Sequence, residues 1–588
     1  MATHPTHASD GGRPRKTGGD AVFPRNVRLL LKVAVYGVCG GASAVAFQLG
    51  IETLFRHTFL AYARHPLPFF LAASFATVAG SALVSGCLTH FLCPAAAGGG
   101  IPQLKAAYWK NRGAVPWRVA WVKFLAGVAS VGGGLSLGCE GPCVQISGTV
   151  GSVLAKFDPE GGPGARRLGT ATAAGAGLAG AFNTPLAAVT FVLEEIQEDL
   201  NSRLFGKILL AAVLGAWVTQ LVLGDKPSFV LGPVEASTFT VYLLIPVVAA
   251  AAALAGVLFQ HGALRVRSTF GAGGMLRPIP PWLRPMLGAL ATWVLGVFVY
   301  AVTGSVGVFG LGYGDLSAAL VGKLALPTAL FLLAAKLVAT IVCVGAGGAG
   351  GVFSPSLVFG GMCGAIAGGL AGQFLDLPEA EQILLVVVGM SACLGAVIRA
   401  PVTAILIVFE MTRDFKLVPA LMIATLASQI LARRLAPVAF YDAILQQDGI
   451  DIERLRPPRD LSDWLQWPVA TIASPSPVCV ESLDPTSLGW LLASSGHRRF
   501  PVVADGKIQG ILHRAEIEEA VAQGRPPDVR PAAVCPASTS LREAGHLLME
   551  APHDALLVVD PSTGALLGIA TGHDMLRTEM DMAAEDAS

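Results

Sequence analysis

Between Phe124 and Ala155 the sequence carries a single charged side chain, Glu140, in the stretch GGGLSLGCEGPCVQISG. Its neighbours are Gly, Leu, Val and small residues, and the stretch is apolar enough to enter a membrane. Taking a lone carboxylate out of water is costly, and ionisable groups inside a membrane mark ion or proton pathways. Such a group can do two things there. It can carry a proton, or it can compete as an anion with another anion.

Three Gly/Pro stretches share one design. GGGIP (98–102) precedes QLKAAYW, GCEGP (138–142) precedes CVQISGTVGSVLA, and GGVFSP (350–355) ends on the Pro before SLVFGGMCGAIAG. In each, Gly-rich backbone gives way to a Pro expected at the first helical position. The free N–H groups of a helix start carry about half a positive charge. Three such ends aimed at one point bind an anion without any Lys or Arg, and partial charges still let it leave. One Gly-Pro stretch alone reads as a loop. Glu194 and Glu195 close the apolar run that begins at Pro185, with QEDLNSR following. Taken alone, they read equally well as solvated helix-end residues or as proton carriers. Cys139 and Cys143 flank Glu140, but two thiols without a nearby His make a poor metal site and read as small packing residues.

These residues need elements to position them. The chain has 588 residues, 53% hydrophobic and only 14% charged, against about 25% charged in a soluble domain. A polytopic membrane protein is the class this predicts. Net charge is +1, which gives no sign of a nucleic-acid partner, and the ten cysteines lie apart without a CxxC. That spacing argues against a disulfide framework and against zinc. Long apolar runs are expected at 29–55, 69–92, 207–223, 239–260, 285–303 and 328–346. Shorter runs broken by Gly or Pro fall at 101–109, 141–155, 182–196, 353–371, 382–397 and 401–411. Broken helices are the mark of transporters whose non-helical backbone lines a central site. Residues 1–26 read as a polar tail with no signal-peptide core. Arg13, Arg15, Lys16, Arg25, Arg28 and Lys32 place the N-terminus on the cytoplasmic side.

An internal repeat is also visible. Laying Pro185 of FNTPLAAVTFVLEE on Pro401 of IRAPVTAILIVFEM brings Glu194 onto Glu410. Laying Pro142 on Pro355 pairs CEGPCVQISG with VFSPSLVFGG at nearly the same offset. Two related halves are expected, near 27–225 and 239–447, within a transport domain spanning 27–447. A polar linker (448–467) follows. Residues 468–580 then repeat strand, turn, strand, helix in two copies, near 468–523 and 531–580, ahead of a short tail at 581–588.

The set GGGIP, GCEGP, GVFSP and FYDAIL (440–445), with AFNTPLAAVTFVLEE, resembles the chloride channel and transporter (CLC) family. The signatures there read GSGIP, G(K/R)EGP, GxFxP and a late Tyr. The resemblance runs from about residue 27 to 580 and includes a C-terminal pair similar to cystathionine-β-synthase (CBS) domains. It implies an all-α polytopic membrane protein with inverted repeats and broken helices, plus a small α/β CBS pair. It further implies a homodimer with one anion path per subunit, in a cell membrane, with both termini cytoplasmic. Glu140 resembles the gating glutamate, which sits in the anion site when ionised and swings away when protonated. Glu195 aligns with the inner proton-transfer glutamate of the exchanging members. The anion is expected at Gly99, Gly100 and Ile101, at the backbone N–H groups of Val352 and Phe353, and at the hydroxyl of Tyr441. Alone, Tyr441 would read as an interfacial anchor. Two departures stand out. Gly99 replaces the usual Ser, which removes a hydroxyl and leaves the choice among chloride, nitrate, bromide and fluoride unassigned. Cys139 replaces the usual Lys or Arg, which weakens the positive field near the outer mouth.

The function expected is proton-coupled exchange of chloride or a similar small anion, with chloride and protons as substrates, the bilayer as surroundings and no required cofactor. A passive anion channel of the same family is the alternative, and Glu195 discriminates because channels generally lack a carboxylate there. TGHD (571–574) fits the Thr-x-x-Asp pattern that holds an adenosine ribose through Thr571 and Asp574, whereas the first copy has HRAE (513–516). A purely structural dimerisation module fits equally well. GYGD (312–315) and YD (441–442) mimic intramembrane aspartyl proteases, but in reversed order and with Asp315 expected in a loop. No HExxH occurs. An enzyme is not expected.

Overall fold

The computed structural model describes residues 25–158, 164–202, 204–225, 227–234, 239–271, 273–452 and 464–585. Two compact units divide the chain, Met1–Leu455 and Arg456–Ser588. The expected N-terminal tail lies outside the described residues except for Arg25 and Asn26, which open the first helix. Most of the expected linker and the end of the C-terminal tail also lie outside them.

The first unit is helical. One half holds α1 (Arg25–Phe55), α2 (Leu67–Cys87), α3 (Ile101–Lys110), α4 (Arg118–Gly127), α5 (Glu140–Lys156), α6 (Ala165–Phe182), α7 (Pro185–Phe191) and α8 (Phe205–Leu223). The other holds α9 (Phe239–Ser268), α10 (Pro285–Thr303), α11 (Tyr313–Leu320), α12 (Leu326–Gly345), α13 (Phe353–Phe374), α14 (Glu379–Ile398), α15 (Pro401–Thr412) and α16 (Val418–Leu435). A final short helix, α17, spans Phe440–Gln447. Among the described residues, nine helices are long and apolar enough to cross a membrane.

The repeat is fixed by two reciprocal helix caps. The carboxylate of Glu410, at the end of α15, accepts hydrogen bonds from Leu186 N (3.0 Å) and Ala187 N (2.7 Å) at the start of α7. The carboxylate of Glu194, just past α7, accepts from Val402 N (3.2 Å) and Thr403 N (2.8 Å) at the start of α15. Each helix therefore ends beside the other's beginning, so α7 and α15 run antiparallel and the halves are inverted. Each carboxylate satisfies two orphan N–H groups that lipid could not.

Three sequence expectations need correction. The runs at 353–371 and 382–397 are not short and broken but form the continuous 22- and 20-residue helices α13 and α14. Their glycines are contact points rather than breaks. A Cβ on Gly360 would lie 2.0 Å from Gly389 O, and one on Gly364 would lie 2.0 Å from Leu385 O. Small residues let these helices approach backbone to backbone, as membrane helices do. For the same reason α6, apart from its last residue Phe182, falls outside the expected apolar runs. Its Ala/Gly face is buried against α5, where a Cβ on Gly151 would lie 2.1 Å from Gly169 O. Finally, the Pro residues do not open their helices. Pro102 is the second residue of α3, and Pro142 and Pro355 are the third of α5 and α13.

The second unit is α/β. Strands β1 (Ser474–Pro475), β4 (Ala533–Pro536), β5 (Ala555–Val559) and β6 (Leu566–Thr571) form a sheet in the order β1-β6-β5-β4. Strands β2 (Arg499–Ala504) and β3 (Lys507–His513) form a separate antiparallel pair. Helices α18 (Pro485–Ser494) and α19 (Arg514–Gln523) flank that pair in sequence, and α20 (Leu541–Glu550) and α21 (Gly572–Glu585) flank β5 and β6. Helix, strand, strand, helix thus occurs twice. The Asp505-Gly506 turn has φ of 50° and 74°, the left-handed geometry that matches the strand twist of a two-residue hairpin.

Removing either reciprocal cap should destabilise the first unit. Glu410→Ala and Glu194→Ala are each expected to cost about 1–2 kcal/mol. Glu194→Ala should cost more, because Glu194 also accepts from Thr403 Oγ1 at 2.7 Å. Thermal midpoints of the detergent-solubilised variants measure this, and unchanged midpoints would show that the caps are incidental.

Candidate functional site

The loops before α5 and α13 run antiparallel and join. Gly138 N donates to Gly351 O at 2.7 Å, and Gly351 N donates to Gly138 O at 2.6 Å. This pair brings two helix starts together in the protein interior. The start of α3 closes in from a third direction. A Cβ on Gly141 would lie 2.3 Å from Gly99 O and 3.3 Å from Gly351 Cα. All three Gly/Pro stretches singled out from sequence therefore meet at one place, and only a residue without a side chain fits at Gly141.

Glu140 is fully buried there. It opens α5, yet its carboxylate does not cap its own helix. It crosses to the start of α13, where Oε2 accepts from Ser354 N at 3.3 Å and Oε1 accepts from Ser354 Oγ. Tyr313 Oη donates to the same Oε1 at 2.8 Å, and Cys139 Sγ lies 3.5 Å from it. One fully buried carboxylate thus gathers a backbone amide and two hydroxyls.

The other expected residues take distinct places. Val352 caps α13 and Phe353 is its first residue, so their N–H groups belong to the unbonded first turn. Tyr441, in the first turn of α17, is buried, and its hydroxyl has no hydrogen-bond partner among the described residues. A buried hydroxyl without a partner is costly, and a small anion would satisfy it. At the start of α3, Gly100 has φ +97°, and its N–H donates to Gln103 Oε1 at 3.0 Å. Ile101 is buried. Lys123 Nζ donates to Ala96 O at 3.1 Å and to Gly98 O, which braces this loop.

Glu195 is 4% exposed and therefore not a solvated helix-end residue. Its Oε1 pairs with Lys105 Nζ at 3.0 Å. The same ammonium pairs with Glu198 and Asp442, each at 2.7 Å. Glu198 and Asp442 line a cavity of 420 Å3. Glu195 is thus linked through one lysine to two acids that reach that cavity, while its neighbour Glu194 is occupied as a cap.

Sequence reasoning missed Tyr313, Ser354 and Lys105. Asp315 was expected in a loop, but it lies in the first turn of α11, which begins at Tyr313. The signal for Tyr313 was the repeat itself. Helices α3 and α11 are each third in their half, and each is capped by a glycine at positive φ, Gly100 at 97° and Gly312 at 80°. The stretch GLGYG is the counterpart of GGGIP. On the second unit, Thr571 and Asp574 are adjacent, with Asp574 Oδ2 accepting from Thr571 N (2.8 Å) and Thr571 Oγ1 (2.7 Å).

The crowding at Gly141 predicts a sharp contrast between two glycines of this site. Gly141→Ala should lower stability by about 1–3 kcal/mol through overpacking. Gly99→Ser should leave it unchanged, because the nearest atom to a Cβ there is Gly350 O at 3.8 Å. Thermal midpoints of the purified variants decide between this and a loose junction, in which both are tolerated.

Comparison with known proteins identifies the family. Residues 80–433 match the family model described as voltage gated chloride channel, and residues 528–581 match the CBS domain. The chain is 30% identical over 443 residues to the H(+)/Cl(-) exchange transporter ClcA of Yersinia pestis, covering 73% of this chain and 89% of that protein. It is 29% identical over 435 residues to the protein of that name from Klebsiella pneumoniae (strain 342), covering 71% and 88%. Among solved structures, a slow cyanobacterial Cl-/H+ antiporter aligns with a TM-score of 0.64 at 22% identity, over 73% of this chain and 99% of that one. A eukaryotic CLC transporter aligns at 0.58 and 23%, over 93% and 98%. This chain is a multi-pass membrane protein that belongs to the voltage gated chloride channel (CLC) family, with a CBS domain following its helical unit.

Proposed function

We propose that this protein moves chloride, or a similar small monovalent anion, across a membrane in exchange for protons. The observation that carries the reading is the carboxylate of Glu140, itself an anion, seated on the amide and hydroxyl of Ser354 at the start of α13. Ionised, Glu140 holds that seat. Protonated, it loses its charge and its claim on the donors, and an anion takes its place. Val352, Phe353 and Tyr441 supply donors deeper in the path, and the start of α3 with Gly99, Gly100 and Ile101 forms its inner wall.

Exchange needs a second proton carrier reached from the other side. Glu195 fills this role. It is buried, and Lys105 links it to Glu198 and Asp442 at the 420 Å3 cavity. Lys105 contacts Oε1 of Glu195, Oε1 of Glu198 and Oδ1 of Asp442, so the three acids share one ammonium. A passive channel does not need this arrangement, which favours exchange. The relatives named above are H(+)/Cl(-) exchange transporters. A homodimer in a cell membrane, with both termini cytoplasmic and no catalytic role, completes the reading. On the CBS region, Thr571 and Asp574 are the residues an adenine nucleotide would engage, at the expense of their mutual hydrogen bonds.

Two measurements test these statements. In proteoliposomes, an imposed chloride gradient should drive protons uphill through the native protein. Glu140→Ala and Glu195→Ala should abolish proton movement while chloride flow survives. Chloride current without proton movement in the native protein would make it a channel. Calorimetric titration of the full chain with ATP or AMP should show binding that Asp574→Ala weakens at least about tenfold, the loss of a charge-assisted hydrogen bond. Silence with both nucleotides would leave the CBS region structural.

A further inference from the structure

Gly99 leaves the anion path without the hydroxyl that a serine there would offer. The structure supplies two hydroxyls at another point. Tyr313 Oη and Ser354 Oγ lie 2.8 Å apart, and both reach Oε1 of Glu140. Ser354 is fully buried, and Tyr313 borders a 320 Å3 cavity that also touches Cys139. We propose that Tyr313 and Ser354 form a specificity-determining hydroxyl pair that seats the carboxylate of Glu140 and then takes over the transported anion when the carboxylate leaves. The inference deepens the transport reading and rests on it.

The geometry fits a monatomic anion. With the carboxylate gone, Tyr313 O–H, Ser354 O–H and Ser354 N–H remain as three donors aimed at one volume. None carries a full charge, so the ion is held without being trapped. The Tyr313 hydroxyl is held in place. The ring of Tyr313 packs edge-on against Phe229, with centroids 5.2 Å apart. Its helix is preceded by a loop whose carbonyls at Gly307 (2.8 Å) and Gly310 (2.9 Å) accept from the buried Lys336 Nζ. Lys336 lies on α12. One turn further along α12, Thr340 Oγ1 meets Ser136 Oγ at 2.9 Å, on the loop that leads to Glu140. One helix therefore fixes both Tyr313 and the approach to Glu140, which sets the distance between gate and hydroxyl.

The pair serves two competitors, so its removal must be read in two backgrounds. With Glu140 present, Tyr313→Phe takes a donor from both the carboxylate and the anion, and the two losses partly cancel. In Glu140→Ala only the anion loses. Chloride flux through the full chain in proteoliposomes, measured across chloride concentrations, should show this. In the Glu140→Ala background, Tyr313→Phe and, separately, Ser354→Ala should each raise the KM for chloride about tenfold, the loss of one hydrogen bond to a charged acceptor. With Glu140 intact the shift should be several-fold smaller, and Ser354→Thr, which keeps the hydroxyl, should restore the native KM. A merely structural role would move both backgrounds alike. An unchanged KM in the Glu140→Ala background, or equal shifts in both, overturns the inference while transport stands. Absence of chloride flux from the native protein overturns the transport reading and this inference with it.

Discussion

A carboxylate with no cation beside it among the described residues is the constraint around which the first unit is built. Glu140 is buried, and the acceptor demand of its oxygens is met by one amide, two hydroxyls and a weak thiol contact. Such partners satisfy a charge by dipoles only if they are fixed in direction, because a loose dipole averages away. Much of the surrounding structure does that fixing. The antiparallel Gly138–Gly351 pair sets the two helix starts against one another. The absence of a side chain at Gly141 lets the third start approach. Lys123 and Lys336, both buried, spend their donors on carbonyls of the loops that lead into α3 and α11 rather than on the anion path.

The inverted repeat explains how so many helix starts reach the interior of a membrane protein. A helix start in lipid leaves its first N–H groups unsatisfied. Inversion lets one half satisfy the other. At α7 and α15 the satisfaction is permanent, because Glu194 and Glu410 are placed to cap each other's helix. At α13 the carboxylate comes from Glu140 at the start of α5 in the other half, and among the described residues no reciprocal side chain caps α5. Two adjacent acids, Glu194 and Glu195, thus have separate fates. The first is a fixed cap facing the other half, and the second is buried on Lys105 behind a cavity. Both lie in the π-helical turn Val192–Gln197, where a one-residue step still turns a side chain by roughly a quarter of a circle, enough to send neighbours to different faces.

Much of this was legible in the residue order. The lone Glu140 in an apolar stretch, the three Gly/Pro starts and the paired Pro and Glu positions of the two halves are chemical contradictions of a lipid-facing helix. A contradiction in sequence marks a place where structure must compensate. What failed to register was compensation by residues that look ordinary. Tyr313 sat in a motif that mimicked a protease, and Ser354 and Lys105 lay within GGVFSP and QLKAAYW without being singled out. Small-residue helices failed for the opposite reason. The glycines of α13 and α14 look like breaks, yet they are where two helices touch.

By itself, then, the sequence determined which groups were out of place in a membrane, that the chain repeats, and that three Gly/Pro stretches precede helices. Those follow from local chemistry, since burial cost and helix-end polarity depend on residue type and spacing alone. Only the tertiary structure decided that the carboxylate of Glu140 crosses to another helix, that Tyr313 meets it there from 173 positions along the chain, and that Glu195 rather than Glu194 faces Lys105. Hydrogen bonds act over about 3 Å, and distances that short between remote residues are set by packing, which no local pattern encodes.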